Sequence, residues 1–166
     1  MKQLTLIGGP MGVGKSAVCQ RLMEQLAPAA FLDGDWCWCI SPFLVNDETK
    51  AMVKDNIVSI LNRYLKSPEL DHVLFCWVMH QQEITEELLS RLNTNGVKVN
   101  IITLMCEKES LIARLKSDIS AELRQEDVIA RALDRLACCR SLPYPKVWTD
   151  HLSVEEVCRE IQKLLL

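Results

Sequence analysis

Apolar residues in this chain fall in short runs separated by amphipathic stretches, and that alternation orders its elements. Leu4-Thr5-Leu6-Ile7 is a strand-length run, and residues 15–26 after the following turn carry helical spacing. Ala29-Ala30-Phe31-Leu32 reads as a second strand ending at Asp33-Gly34-Asp35, followed by a polar and aromatic loop over residues 36–46. A helix is expected over residues 47–65, with Ile57, Ile60, Leu61, Tyr64 and Leu65 on one face and Pro68 beyond its end. His72-Val73-Leu74-Phe75-Cys76-Trp77-Val78 is continuously apolar, as a central parallel strand buried on both faces must be. Residues 82–92 read as a helix closed by Asn95-Gly96, and 97–105 as the fourth strand. Helices over 107–116 and 126–139, a short fifth strand over 146–148 and a capped final helix over 153–165 complete the chain.

Strands alternating with helices specify an α/β domain: a parallel sheet of about five strands with helices on both faces. The 166 residues form one domain, with no internal repeat or linker. Ligands of such sheets bind beyond the carboxyl ends of the strands, so the turns after them carry the candidate chemistry.

The first of these turns is Gly9-Pro10-Met11-Gly12-Val13-Gly14-Lys15-Ser16, a complete G-x-x-x-x-G-K-[ST] phosphate-binding loop between a strand and a helix. Its glycines let backbone N–H groups turn toward an anion, and the helix N-terminus adds partial positive charge. Gly9, Gly12, Val13, Gly14, Lys15, Ser16 and Ala17 are the expected nucleotide-binding residues, with Lys15 on the phosphates and Ser16 on Mg²⁺. Gly12 to Ala17 also fits the dinucleotide fingerprint G-x-G-x-x-[GA], with Asp33 roughly twenty residues on as a ribose-binding acid. That NAD reading leaves Gly9, Lys15 and Ser16 without a purpose, so the P-loop reading is preferred.

Asp33 and Asp35 end the second strand beside this loop. Phosphoryl transfer to a hydroxyl needs a supported cation on the phosphates and a group to take the acceptor's proton. One carboxylate suits each task. Phe31-Leu32-Asp33-Gly34-Asp35 and the P-loop resemble those of small-molecule P-loop kinases, namely gluconate and adenylylsulfate kinases, with related acids in shikimate kinase and chloramphenicol phosphotransferase. The resemblance implies the P-loop nucleoside-triphosphate hydrolase fold, with Asp35 against the acceptor hydroxyl and Asp33 in the shell of the metal. Leu111-Ile112-Ala113-Arg114-Leu115 is similar to the segment that lays an arginine over adenine in nucleotide and gluconate kinases, which implies that role for Arg114. Asp118 stands where nucleotide kinases often carry a lid arginine. Arg124 and Arg131 are the next candidates to meet the transferring phosphoryl charge within a lid-like segment 114–131, while Arg135 and Arg140 read as solvated. No aspartate ends the third strand, so metal support falls on Asp33.

The acceptor is expected against residues 36–66, with Trp36, Trp38, Asn56 and Arg63 joined by His80 after the third strand. Residues 36–62 carry only two cations, Lys50 and Lys54, which argues for an acceptor of little negative charge, such as a sugar, nucleoside or antibiotic. The expectation is an ATP- and Mg²⁺-dependent kinase of a small hydroxyl-bearing molecule. The alternatives are a nucleoside monophosphate kinase and a nucleotide-binding regulatory protein without transfer activity. The chain lacks the N-K-x-D and L-S-G-G-Q sequences of GTPases and transporter ATPases, and it is short for a typical ring ATPase.

Composition narrows the setting. A net charge of −3 gives no footprint for nucleic acid, and no apolar run reaches membrane-spanning length. The first strand starts too near Met1 for a signal peptide, so a cytoplasmic location is expected. The eight cysteines, lacking C-x-x-C pairs, read as buried hydrophobes, with Cys37-Trp38-Cys39 and Cys138-Cys139 as an alternative soft-metal or redox reading.

Overall fold

The computed structural model describes residues 1–165. Five strands, β1 (Gln3–Gly8), β2 (Ala29–Asp33), β3 (His72–Cys76), β4 (Lys98–Met105) and β5 (Lys146–Trp148), form one sheet in the order β2-β3-β1-β4-β5. All four pairings are parallel. Helices α1 (Lys15–Gln25), α2 (Asp47–Lys66), α3 (Gln82–Ser90), α4 (Lys108–Ser120), α5 (Val128–Arg140) and α6 (Val154–Leu165) make the crossovers and cover both faces.

The two-residue period of the strands divides the core. Leu4, Leu6, Val73 and Phe75 point to one face and pack under α2 and α3 through Val53, Ile57, Leu61 and Leu88. Ile7, Leu74, Ile102 and Leu104 point to the other, against α1, α4, α5 and α6. The buried stripe of α2 is Val53, Ile57, Leu61 and Leu65, and Ile60 and Tyr64 flank it. Its start is set by a capping box: Asn46 Oδ1 accepts from Thr49 N at 2.9 Å and Asn46 N donates to Thr49 Oγ1 at 3.0 Å.

Element ends differ from the sequence expectation where tertiary contacts intervene. β3 stops at Cys76 rather than Val78, since Met79 N bonds back to Trp77 O and turns the chain off the sheet. Trp36 lies in a short 3₁₀ helix, Gly34–Trp38, rather than in an irregular loop. α3 ends at Ser90 rather than at Leu92. α4 runs on to Ser120, and α5 begins at Val128 instead of Glu126. The cysteine expectation holds for five residues, while Cys37 is half-buried and Cys39 and Cys138 are exposed. Cys138 precedes buried Cys139 on α5 and lies about 100° round the helix from it, on the solvent side.

Candidate active site

Beyond the carboxyl end of β1 the chain turns through Gly9 into a loop that closes at Gly14, the N-cap of α1. Gly9, Gly12 and Gly14 all have positive φ along that path. Gly9 has φ +146°, and a Cβ there would lie 2.8 Å from the Leu104 carbonyl oxygen. Gly14 has φ +102° with open space around it, which is where an anion can approach the free N–H groups of the helix start. Buried Val13 anchors the loop, and its carbonyl accepts from Arg114 Nη1 at 3.3 Å.

Lys15 folds back over the loop, with Nζ donating to Pro10 O at 2.9 Å. Although the residue is partly exposed along its length, enclosure of the ammonium pushes its pKa down. Cys76, Asp35 and Asp33 oppose that shift. Ser16 Oγ donates to Asp33 Oδ2 and lies 4.0 Å from Cys76 Sγ. Asp33 is only 6% exposed, and its neighbour across the β2–β3 ladder is Cys76. The carboxylate beside the P-loop serine thus comes from β2, while β3 presents a thiol.

Asp35 sits one turn further on. Its N–H donates to Asp33 Oδ1 at 3.0 Å, tying the two acids into one unit. The Trp77 indole Nε1–H donates to Asp35 Oδ1 at 3.2 Å. Burial and then the neighbouring Asp33 push the Asp35 carboxyl up, against Lys15, Trp77 and Arg124. A cavity of about 360 Å³ gathers Lys15, Ser16, Asp33, Asp35, Arg114 and Arg124 around one space. Gly12, Gly14 and Ala17 of the loop also line it, with Val78 and Asp118. Arg114 is fixed by Thr149, donating to Oγ1 at 2.9 Å and to the carbonyl at 3.2 Å. Arg124 is held by Asp118 at 3.0 Å, so the acid replacing a lid arginine carries the arginine that faces the cavity.

The remaining candidates separate. Arg131 pairs with Asp127 at 3.4 Å, 59% exposed and away from the cavity wall. Arg135, one turn deeper on α5, is half-buried and near enough to His80 to reinforce the burial that pushes the imidazole's pKa down, against a hydrogen bond to Val78. It is not solvated as its sequence setting suggested. His80 Nδ1 lies 3.4 Å from Val78 O and is not on the cavity wall. Trp36, 59% exposed, meets Phe31 edge-on at 5.0 Å and, with Asn56, lines a second open cleft of about 560 Å³ between the 3₁₀ helix and α2. Among the described residues, no charged side chain lines that cleft. Trp38 does not reach it: its Nε1–H donates to Leu44 O at 3.0 Å, and its ring packs on the core and on Phe43. Arg63 lies about two turns beyond Asn56 and is exposed outside both walls. Trp77, Cys76 and Asp118 were missed as site residues. The one signal was position, since Cys76 and Trp77 stand where the third strand meets the ligand end of the sheet.

A family model described as an AAA domain matches residues 6–134, from β1 into α5. The chain belongs to that family of P-loop proteins. Nearly its whole length superposes on solved structures that share the fold. The Deinococcus radiodurans tunicamycin resistance protein matches with a TM-score of 0.74 and 20% identity, over 99% of this chain and 96% of that one. A gluconokinase from Sinorhizobium meliloti matches at 0.70 and 17%, over 95% and 88%. Shikimate kinase from Acinetobacter baumannii, solved with shikimate, matches at 0.68 and 20%, over 99% and 93%. At these identities the likeness is one of fold: the P-loop kinase sheet with helices on both faces. Among curated proteins, no sequence matches. Among the described residues, no helix is long and apolar enough to cross a membrane.

Proposed function

We propose that this protein is an ATP- and Mg²⁺-dependent phosphotransferase that moves the γ-phosphoryl group to a hydroxyl of a small molecule. One observation carries the reading: a single cavity holds a P-loop lysine, a Ser16–Asp33 pair and a second carboxylate, Asp35. The residues fit the cation that such a reaction uses, because Ser16 Oγ and the Asp33 carboxylate already meet at the mouth of the loop, beside Lys15. Held there, Mg²⁺ would neutralise phosphate charge.

The chain's own groups supply the rest. Loop amides and Lys15 Nζ, released from Pro10 O, bind the β- and γ-phosphates. Arg114 borders the cavity as a flat cation against the base. The acceptor oxygen bonds to phosphorus as the bond to the β-phosphate bridging oxygen breaks. Asp35 takes the acceptor's proton through its free oxygen, and Arg124 meets charge on the transferring group. The raised pKa of Asp35 makes it a better proton acceptor than an ordinary carboxylate. Residues 36–66 form the acceptor side and residues 114–131 a lid within one domain. The uncharged wall carrying Trp36 and Asn56 favours a neutral acceptor over a nucleoside monophosphate, whose phosphate would want an arginine clamp.

Thermal unfolding with ATP and Mg²⁺, alone and across sugars, nucleosides, nucleotides and hydroxylated antibiotics, tests this. Ligands of the native state raise the midpoint by mass action. The expected result is a shift with ATP-Mg²⁺, enlarged by one acceptor class and followed by transfer to it, with both lost in Lys15→Ala. A shift with ATP and no acceptor or transfer would leave a regulatory protein. A shift with NAD alone would refute the P-loop assignment.

A further inference from the structure

Asp35 can act on a hydroxyl only if its carboxylate is held at a fixed angle, and no element of regular length holds it. It lies in a five-residue 3₁₀ helix at the outer edge of the sheet. Its constraint comes instead from the first residue past the end of β3. Trp77 N donates to Ile7 O at 3.3 Å, so the residue is registered to β1 two positions before Gly9. Its ring meets Phe75 edge-on at 6.5 Å and lies in the groove between α2 and α3, formed by Ile57, Val58, Ile84 and Leu88. The indole N–H then aims at Asp35 Oδ1.

Gly34 completes the arrangement. A Cβ there would fall 2.6 Å from both Cδ1 and Cγ of Trp77. The indole therefore lies flush on the backbone that presents Asp35. This is a steric requirement for glycine, and it gives the middle residue of Asp-Gly-Asp a function separate from turn formation.

We propose that Trp77 is a positioning residue for Asp35, holding one carboxylate oxygen so that the other faces the acceptor hydroxyl. The inference rests on the phosphotransferase reading for its consequence, but not for the contact itself. It ties the base to the phosphate loop: strand β1 carries the Ile7 carbonyl that registers Trp77 and leads at its end directly into Gly9, so base and phosphate loop are both referred to one strand. A carboxylate left to rotate would lose the near-attack geometry that makes a positioned base effective.

The test has two arms. In ¹⁵N-labelled protein the four tryptophans give four indole resonances, and Trp77→Phe identifies the one from Trp77. Replacing Asp35 by Asn should move that resonance much further than those of Trp38 and Trp148. Trp36→Phe, Trp38→Phe and Trp148→Phe assign the other three resonances, so that of Trp77 is fixed by elimination even if Trp77→Phe folds poorly. An unmoved Trp77 resonance overturns the contact, whatever the activity. The second arm is Mg²⁺-dependent ATP hydrolysis, with water as the hydroxyl probe. Trp77→Phe keeps a ring and removes the donor, and kcat should fall about tenfold to a hundredfold with KM for ATP within about twofold. An unchanged kcat in Trp77→Phe, against a loss in Asp35→Asn, overturns positioning and leaves the base in place. Hydrolysis unchanged in both variants removes Asp35 as the base and the positioning role with it, and so locates the failure in the functional reading.

Discussion

Gly9 and Gly14 both have positive φ, yet the structure gives them different reasons, and alanine substitution separates those reasons. At Gly14 an added Cβ meets nothing within 4 Å, so Gly14→Ala incurs only backbone strain. That strain is about 1–2 kcal/mol, reduced by about 0.4–1 kcal/mol because alanine also restricts the unfolded chain. The net loss is about 1 kcal/mol, roughly 2–4 °C in Tm for a domain of this size. At Gly9 the same methyl lies 2.8 Å from the Leu104 carbonyl oxygen and 3.0 Å from Val13 Cγ1. Leu104 is fully buried and paired with Val147 of β5, in a strand flanked by β1 and β5, and cannot retreat. Overpacking of this kind adds about 1–3 kcal/mol to strain of similar size, so Gly9→Ala should lose about 3 kcal/mol or more, roughly 6–12 °C. Urea unfolding monitored by far-ultraviolet circular dichroism, with m unchanged, measures both. Equal losses, or a larger loss at Gly14, would refute the argument that backbone contact rather than dihedral strain governs Gly9.

Three further outcomes follow from the same geometry. Arg114→Ala removes hydrogen bonds to Val13 O and to both Thr149 acceptors, and should cost about 2 kcal/mol while weakening ATP binding, read by calorimetry on the folded variant. Asp35→Asn should raise the Tm of the ligand-free protein at pH 7, by an amount that solvent screening at this exposed residue keeps small. Because the folded state raises the Asp35 pKa above its unfolded value of 3.8, ionisation of Asp35 lowers stability as pH rises through that window; the gain should vanish below pH 3.8, where the carboxyl is neutral in both states. A variant no more stable than the parent at pH 7 would contradict that account. Asn46→Ala opens the capping box of α2 and should cost about 1 kcal/mol by urea titration, with wild-type cost absent in Asn46→Asp.

Trp36 and Trp38 show where reading the chain stops. Both were legible as aromatic residues just past an acid, but the open cleft against α2 receives one while the core takes the other. The 3₁₀ helix turns its side chains at about three residues per turn, and nothing in the sequence dictates that Gly34–Trp38 adopts it. Arg63 fails for a different reason: helical spacing gives the face it shares but not where the cleft ends along a 20-residue helix. Arg131 and Arg135 share a face of α5, and only the depth of that helix against His80 distinguishes them.

Local rules determined what lies close in sequence. The P-loop, the apolar runs, the helix caps and the Asp-Gly-Asp corner each depend on contacts within a few residues, whose periods of 2 and 3.6 are written in the order of side chains. The strand order, the Ser16–Asp33 pair, the thiol of Cys76 beside it and the indole of Trp77 on Asp35 required the folded sheet. They join residues 17 to 60 positions apart, and which side chains meet across such distances is decided by strand register and by packing at strand ends, where the two-residue period no longer holds.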